Sequence, residues 1–228
     1  MTDDLHPLAK PDGRKRRWRD HKIARREELV DGTIQAIRKR GHTAGMDDIA
    51  AEIGVSKTVL YRYFSDKNDL TSATLTRFVD TVITPRIYAA IGEEALEFEL
   101  VQRAIGAYVD IIDEDTEIYM YVMGGSGAST SIVAESERMI AEMLSVVLRE
   151  RAVGVGVDAQ GAVPWSYALV GAIQLAVHWW ISNKSMPREN FVSFLVMMTW
   201  GGVEGIARAG GSPVAFADQS HELPTPGS

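Results

Sequence analysis

The side chains best placed to do chemistry are crowded into one short run: Ser56, Lys57, Thr58, Val59, Tyr61, Arg62 and Tyr63, with Lys67 just beyond. As a set they suit recognition rather than bond making. In a DNA major groove, Arg pairs with the edge of guanine, Thr or Val meets the methyl of thymine, and Lys and Tyr reach phosphate oxygens. Such a reading needs these groups on one face of a rigid helix.

The run Asp47 to Phe64, DDIAAEIGVSKTVLYRYF, supplies that support. Ile49 and Ile53 are four apart and share a face of a first helix. Gly54 stands where a chain can turn with positive φ. Ser56 stands at an N-cap position, its hydroxyl available to the next turn. Leu60 and Phe64 face inward with Val55, so at about 100° per residue Thr58 and Arg62 point away from them. Two short helices joined by a tight turn, with an exposed polar face on the second, also describe an ordinary helical hairpin.

A wider match decides between these readings. The run from Arg25 to Leu70, with DDIAAEIGVS, LYRYF and SDKNDL in order, resembles the DNA-binding domain of the tetracycline-repressor (TetR) family of bacterial transcription regulators. The resemblance implies an all-α protein. A three-helix DNA-binding domain with a helix-turn-helix would precede a larger helical domain for ligand binding and dimerisation. It also implies that the lysine opening the next helix, Lys67, approaches a phosphate. Met46 stands where the family commonly has a capping Thr, which leaves Thr43 as the nearest replacement. GMDDIA with the later TWGG is similar to a branch that senses fatty acyl thioesters.

Charge distribution agrees with a nucleic-acid-binding end. The net charge is −7, yet residues 1–70 carry 15 Lys and Arg against 12 Asp and Glu, while 71–228 carry 9 against 19. The acidic remainder repels DNA and keeps the basic end turned toward it. Residues 1–22 read as a disordered basic arm. Within it Arg16 and Arg17, flanked by Arg14, Lys15 and Arg19 around Trp18, are expected to lie along the backbone or enter the minor groove. The first proper helix is expected from residue 24 to 40, with Ile23, Leu29, Val30, Thr33, Ile34 and Ile37 on its apolar side.

The DNA-binding domain is expected over 23–70, a ligand-binding and dimerisation domain over 71–209, and a disordered tail over 210–228. A helix opening at SDKNDL, capped by Ser65 or Asp66, runs to Pro85. Another spans Glu93 to Ile112. Ile118 to Met123 is apolar and rich in Tyr and Met, suited equally to a core or to a deformable pocket wall. GGSGAS, 124–129, is a loop without the GK[ST] of a phosphate cradle. A further helix covers Ile132 to Arg151.

Residues 159–183 contain no charge, which raises a membrane span. Ser166, Gln174 and His178 along the segment, and its flanks without Lys/Arg enrichment, favour the centre of a helical domain. The pocket is expected from Tyr108, Tyr119, Met123, Trp165, Leu169 and His178, accepting a hydrophobic, long-chain effector. His178 fits a core histidine as well as a ligand contact. In the last two helices, Ala168, Gly171, Ala172 and Leu175, with Phe194, Met198, Gly201, Gly202 and Gly205, form faces lean enough for close helix approach. The family resemblance implies that these pair with their copies in a second subunit.

The expected partners are therefore double-stranded DNA, a second copy of the chain and a hydrophobic small molecule, with no membrane and no cofactor. The chain has no cysteine, its five histidines are scattered, and no metal or catalytic motif occurs. MTDDLHPLAK lacks the apolar stretch of a secretion signal, and cytoplasmic action is expected. Two other classes stay open on sequence alone. A helical small-molecule enzyme with an accessory DNA-binding end would need a polar catalytic cluster in its pocket. A membrane-associated protein would use 159–183.

Overall fold

The computed structural model describes residues 13–91, 96–124 and 129–222, and every regular element among them is helical. The first helix, α1, runs from Gly13 to Arg40. The stretch 13–22 is thus the start of a long helix rather than a disordered arm. Residues 1–12, and the side chains of Gly13, Arg14 and Lys15, lie outside what is described. Leu29, Val30, Ile34 and Ile37 are buried as their spacing predicts, but Ile23 is 52% exposed because the helix has already left the domain there.

Helices α2 (Met46–Ile53) and α3 (Lys57–Tyr63) follow. Gly54 turns between them at φ 76°, the left-handed conformation that glycine adopts without steric penalty. Leu29, Ile37, Ile49, Leu60, Phe64 and Leu70 close a core with almost no exposure. Two capping expectations need correction. Ser56 is the N-cap of α3 by backbone geometry, but its side chain makes no cap bond. Before α2 the cap residue is Gly45, whose N–H donates to Asp48 Oδ2 at 2.9 Å, while Met46 is buried. Thr43 is exposed and supplies no cap.

Helix α4 (Lys67–Phe78) is capped by Asp66, whose carboxylate accepts from the Asp69 N–H at 2.9 Å. Pro85 does not end this helix. A π-helical turn, Val79–Ile83, carries the chain into α5 (Thr84–Ile91), with the Thr84 N–H reaching back to the Val79 carbonyl. The wider turn accommodates a proline that lacks the usual donor.

Helix α6 (Glu97–Glu114) packs on α5 and later on α10; the expected opening at Glu93 and Glu94 lies outside the described residues. Helix α7 (Thr116–Met123) is short and almost entirely buried on its inner side. Of the loop expected after it, Gly124 forms a turn and 125–128 are not described. Helices α8 (Ser129–Gly154), α9 (Ala162–Asn183) and α10 (Arg188–Arg208) complete the second layer, α8 lying along α9. The expected tail is partly ordered: after Gly210 and Gly211, Ser212 caps a one-turn helix, α11 (Pro213–Ala217), and 223–228 lie outside the description. No helix among the described residues is long and apolar enough to cross a membrane, α9 included.

Candidate nucleic-acid interface and ligand cavity

Burying Leu60 and Phe64 turns the opposite side of α3 outward. Ser56, Lys57, Thr58, Tyr61 and Arg62 are exposed, and Val59 and Tyr63 are half-buried at the edges. Arg26 fixes the end of this helix. Its Nη2 donates to Asp69 Oδ1 at 2.6 Å, its Nε reaches the Tyr63 carbonyl at 3.4 Å, and its guanidinium lies 4.6 Å over the Phe64 ring. Arg26 therefore braces α3 against α4 rather than extending the basic surface.

Two predicted contact residues are already engaged. Lys57 Nζ donates to Asp47 Oδ2 at 2.7 Å, and that bond pushes the Lys57 pKa above the ordinary lysine value. Lys67 Nζ lies 3.4 Å from the Ala44 carbonyl and 5.2 Å from the Tyr121 ring centre. It bridges the DNA-binding helices to α7, and a phosphate must draw it away from both. In the extended α1, Arg16 lies 4.0 Å from Asp20, and Trp18 is 69% exposed beside Lys22. These groups, with Arg17, form a rigid helical projection of the DNA-binding domain.

The second domain holds an apolar cavity of about 250 Å³ between α5, α6, α8, α9 and α10. Ile83, Ile87, Val101, Ala104, Ile105, Tyr108, Ile140, Leu144 and Leu169 supply most of its wall, with Gln174 and Thr199 the polar exceptions. A compartment of about 40 Å³ opens beyond Tyr108 and Gln174 and is walled by Tyr119 and Met123 of α7. At the other end, beyond Leu148, Leu169 and Val203, about 140 Å³ lies among Trp165, Val155 and Arg151.

Of the expected pocket residues, Tyr108 and Leu169 line the main cavity and Tyr119 and Met123 the inner compartment. Trp165 lines the outer space instead. His178 lines none of these; its ring stands 5.9 Å from that of Tyr119 and its Nδ1 is buried without a partner. Sequence reasoning missed Gln174 and Thr199 as pocket groups. The available signal was Gln174 one turn before His178 in a helix with no charged residue.

Helix α7 serves both domains. Its inner face walls the cavity, while its first turn holds the end of α1 and the turn after it. Arg38 donates to both oxygens of Asp115, at 2.7 and 2.9 Å. Glu117 Oε2 accepts from the His42 N–H at 2.6 Å and lies 2.8 Å from its Nδ1, which holds the Glu117 carboxyl below its usual range.

Helices α9 and α10 both carry exposed small and apolar residues. Ala168, Gly171, Ala172, Leu175, Phe194, Met198, Gly201 and Gly202 are exposed there, together with Tyr167, Trp179 and Met197. A Cβ added at Gly171, Gly201 or Gly202 would meet nothing in the chain. Gly205 is the exception among the predicted interface residues: it is half-buried under Phe216 of α11. Among the described residues, no group of three or more His, Cys, Asp and Glu is arranged to hold a metal ion.

Comparison with known proteins joins the two halves. The pattern of "Bacterial regulatory proteins, tetR family" matches residues 29–74, and that of "Tetracyclin repressor-like, C-terminal domain" matches 86–214. The chain is 50% identical over 217 residues to the HTH-type transcriptional regulator Rv0472c of Mycobacterium tuberculosis, covering 95% of this chain and 93% of that one. It is 27% identical over 189 residues to the HTH-type transcriptional activator FasR of Mycolicibacterium smegmatis, covering 80% and 84%. In fold it is similar to a TetR-family regulator from Streptomyces coelicolor (TM-score 0.63, 19% identity, 84% and 88% covered). It is also similar to FadR of Bacillus subtilis, solved in complex with stearoyl-CoA (TM-score 0.57, 18% identity, 75% and 97% covered). These relatives are regulators rather than enzymes, and the helix-turn-helix and helical second domain place this chain in the TetR family of DNA-binding transcriptional regulators.

Proposed function

We propose that the protein is a repressor that binds a palindromic operator as a homodimer in the cytoplasm and is released by a hydrophobic small molecule, a long-chain acyl compound in the first instance. The observation that carries this reading is the double role of α7, which walls the cavity with Tyr119 and Met123 and grips the DNA-binding domain through Asp115 and Glu117. A ligand that fills the inner compartment displaces α7, and α7 moves α1 and the turn that carries α2. By linkage, such a ligand and the operator weaken each other's binding by the same factor.

In this reading Lys57, Thr58, Val59, Tyr61, Arg62 and Tyr63 meet the major groove and its rims. Ser56, Thr43 and Lys67 lie within reach of the backbone, and Arg16 and Arg17 extend the phosphate contact along α1. Two copies joined through α9 and α10 place their α3 helices on half-sites separated by whole helical turns. The apolar wall and the stearoyl-CoA bound by the B. subtilis relative support an acyl ligand.

The test has two stages. Selection of binding sites from random or genomic DNA should return a two-fold symmetric sequence. Titration of long-chain acyl-CoA into that complex should then release the protein. A selected site without symmetry overturns the dimeric reading, and a complex indifferent to acyl compounds and other apolar ligands overturns the ligand response.

A further inference from the structure

Two residues that line the inner compartment carry buried hydrogen-bonding groups without partners, the Tyr119 hydroxyl and Gln174 Oε1, and His178, outside the lining, has its Nδ1 buried without a partner as well. They come from two elements. Gln174 and His178 are one turn apart on α9, and the Tyr119 ring packs against that of His178 from α7. Tyr119 is only 6% exposed. A purely hydrocarbon ligand would leave the Tyr119 and Gln174 groups unsatisfied, and each buried unpaired polar group is disfavoured. An inner compartment of about 40 Å³ has room for a small polar group rather than for a bulky head.

Charge narrows the chemistry. Among the described residues, no Lys, Arg or His lines the main cavity or the inner compartment. Glu137 lies three residues before Ile140 on the same helix, and its carboxylate, after burial, helps to hold both tyrosine phenols protonated, Tyr119 up at about 12 and Tyr108 also raised. The basic group of this cavity system is Arg151, at the outer end, 3.7 Å from Glu97, which lines the same space. Along α8, Ile140 and Ala152 are separated by twelve residues, roughly 18 Å of helix. An anionic ligand terminus therefore meets the Glu137 carboxylate and no lining cation at the inner end, whereas the outer end offers a guanidinium shared with Glu97.

We propose that Tyr119 and Gln174, with His178 packed against the Tyr119 ring, form a polar subsite at the inner end of the cavity for a neutral hydrogen-bonding group, a hydroxyl or an ester-type carbonyl, carried on a hydrocarbon chain. The subsite excludes a free carboxylate. It deepens the proposed ligand response and rests on it only for the effect on DNA. The binding preference stands by itself. Because the subsite touches α7, the polar group of the ligand sets its preference at the element that grips the DNA-binding domain.

The experiment uses the full chain and displacement of the fluorescent apolar dye N-phenyl-1-naphthylamine. The competitors are dodecane, dodecanol, methyl dodecanoate and sodium dodecanoate. Dodecanol and the methyl ester should each bind about tenfold more tightly than dodecane, the scale of one or two net hydrogen bonds. Dodecanoate should bind more weakly than dodecanol and recover in Glu137→Gln.

The double variant Tyr119→Phe, Gln174→Met should reduce the advantage of dodecanol over dodecane to about one. Tyr121→Phe, a buried tyrosine that lines neither compartment, should leave it unchanged. Circular dichroism melting of every variant separates loss of preference from loss of fold. Dodecanoate binding as tightly as dodecanol, a full preference in the folded double variant, or no displacement by any competitor overturns the subsite. Operator anisotropy is followed in parallel. A preserved preference without DNA release defeats the ligand-response reading and leaves the subsite intact, whereas equal release by all four compounds defeats the subsite alone.

Discussion

Replacing Leu175 by Glu should dissolve the proposed homodimer, and the structure sets the scale. Leu175 of α9 is 72% exposed, as Met197 and Phe194 of α10 are at 66% and 56%. Burying a whole leucine side chain is worth about 1.5–3 kcal/mol, so covering the exposed part of this one gives about 1–2 kcal/mol. A two-fold interface counts each residue twice, which doubles the loss to about 2–4 kcal/mol per dimer. Glu at the same place adds the several kcal/mol needed to desolvate an unpaired carboxylate. A total near 5 kcal/mol raises the dissociation constant by more than three powers of ten.

Sedimentation equilibrium of wild type and Leu175→Glu measures this directly, with binding to a full palindrome and to a single half-site as the functional readout. The control is Val146→Glu on α8, where an apolar residue that is 56% exposed should change association by no more than about 0.5 kcal/mol. If Leu175→Glu assembles like wild type while remaining folded, or if Val146→Glu is the variant that dissociates, the assignment of the dimer face is wrong.

Other outcomes follow from the same geometry. Arg62→Ala should lose about 1–3 kcal/mol on the selected operator and little on random DNA; equal loss on both would show that Arg62 holds phosphate and reads no base. Gly54→Val forces a branched side chain into φ 76° and should lower thermal stability by an amount equivalent to about 1–3 kcal/mol, read by calorimetry, although the added Cβ meets no neighbour. The Glu117 carboxyl is held low by His42, so its folded pKa lies below its unfolded value near 4.5. Its contribution is present above that value and fades as pH falls through the lower folded pKa. Both partners are largely exposed, so the effect is small. Glu117→Gln should flatten the acid limb of the melting temperature between about pH 5 and pH 3; an unchanged slope there would exclude the pair as a stabilising contact at the domain junction.

Much of the DNA-binding end was legible because its signals are local. Ile49, Gly54, Leu60 and Phe64 lie within one or two turns of one another, so periodicity and a single left-handed turn specify which side of α3 faces outward. What the local signals did not show there are contacts at longer range. Lys67 reaches back 23 residues to the Ala44 carbonyl, and Arg26 crosses 37 residues to the Tyr63 carbonyl. A basic stretch reads as a disordered arm by composition, yet 13–22 continues a helix already nucleated at its C-terminal end, which removes the initiation penalty.

The cavity was less legible. An apolar stripe on α6 or α9 looks the same whether its neighbour is a side chain or a space. Trp165 and Leu169 share a face of α9, yet Trp165 lines only the outer space whereas Leu169 lines both that space and the main cavity. Only the angles at which α5, α6, α8, α9 and α10 meet leave about 250 Å³ unfilled.

By itself, the order of residues determined an all-helical chain with an exposed recognition helix and a lean, apolar pair of late helices, because those properties depend on 3.6-residue periodicity and on where Gly, Pro and charge interrupt it. Tertiary structure alone decided that α7 joins the cavity to the DNA-binding domain, that Gly205 of α10 packs against Phe216 of α11, and that Tyr119 and Gln174 meet at the inner compartment with His178 against the Tyr119 ring. Each of those facts depends on distances between segments far apart in the chain, set by packing rather than by any local preference.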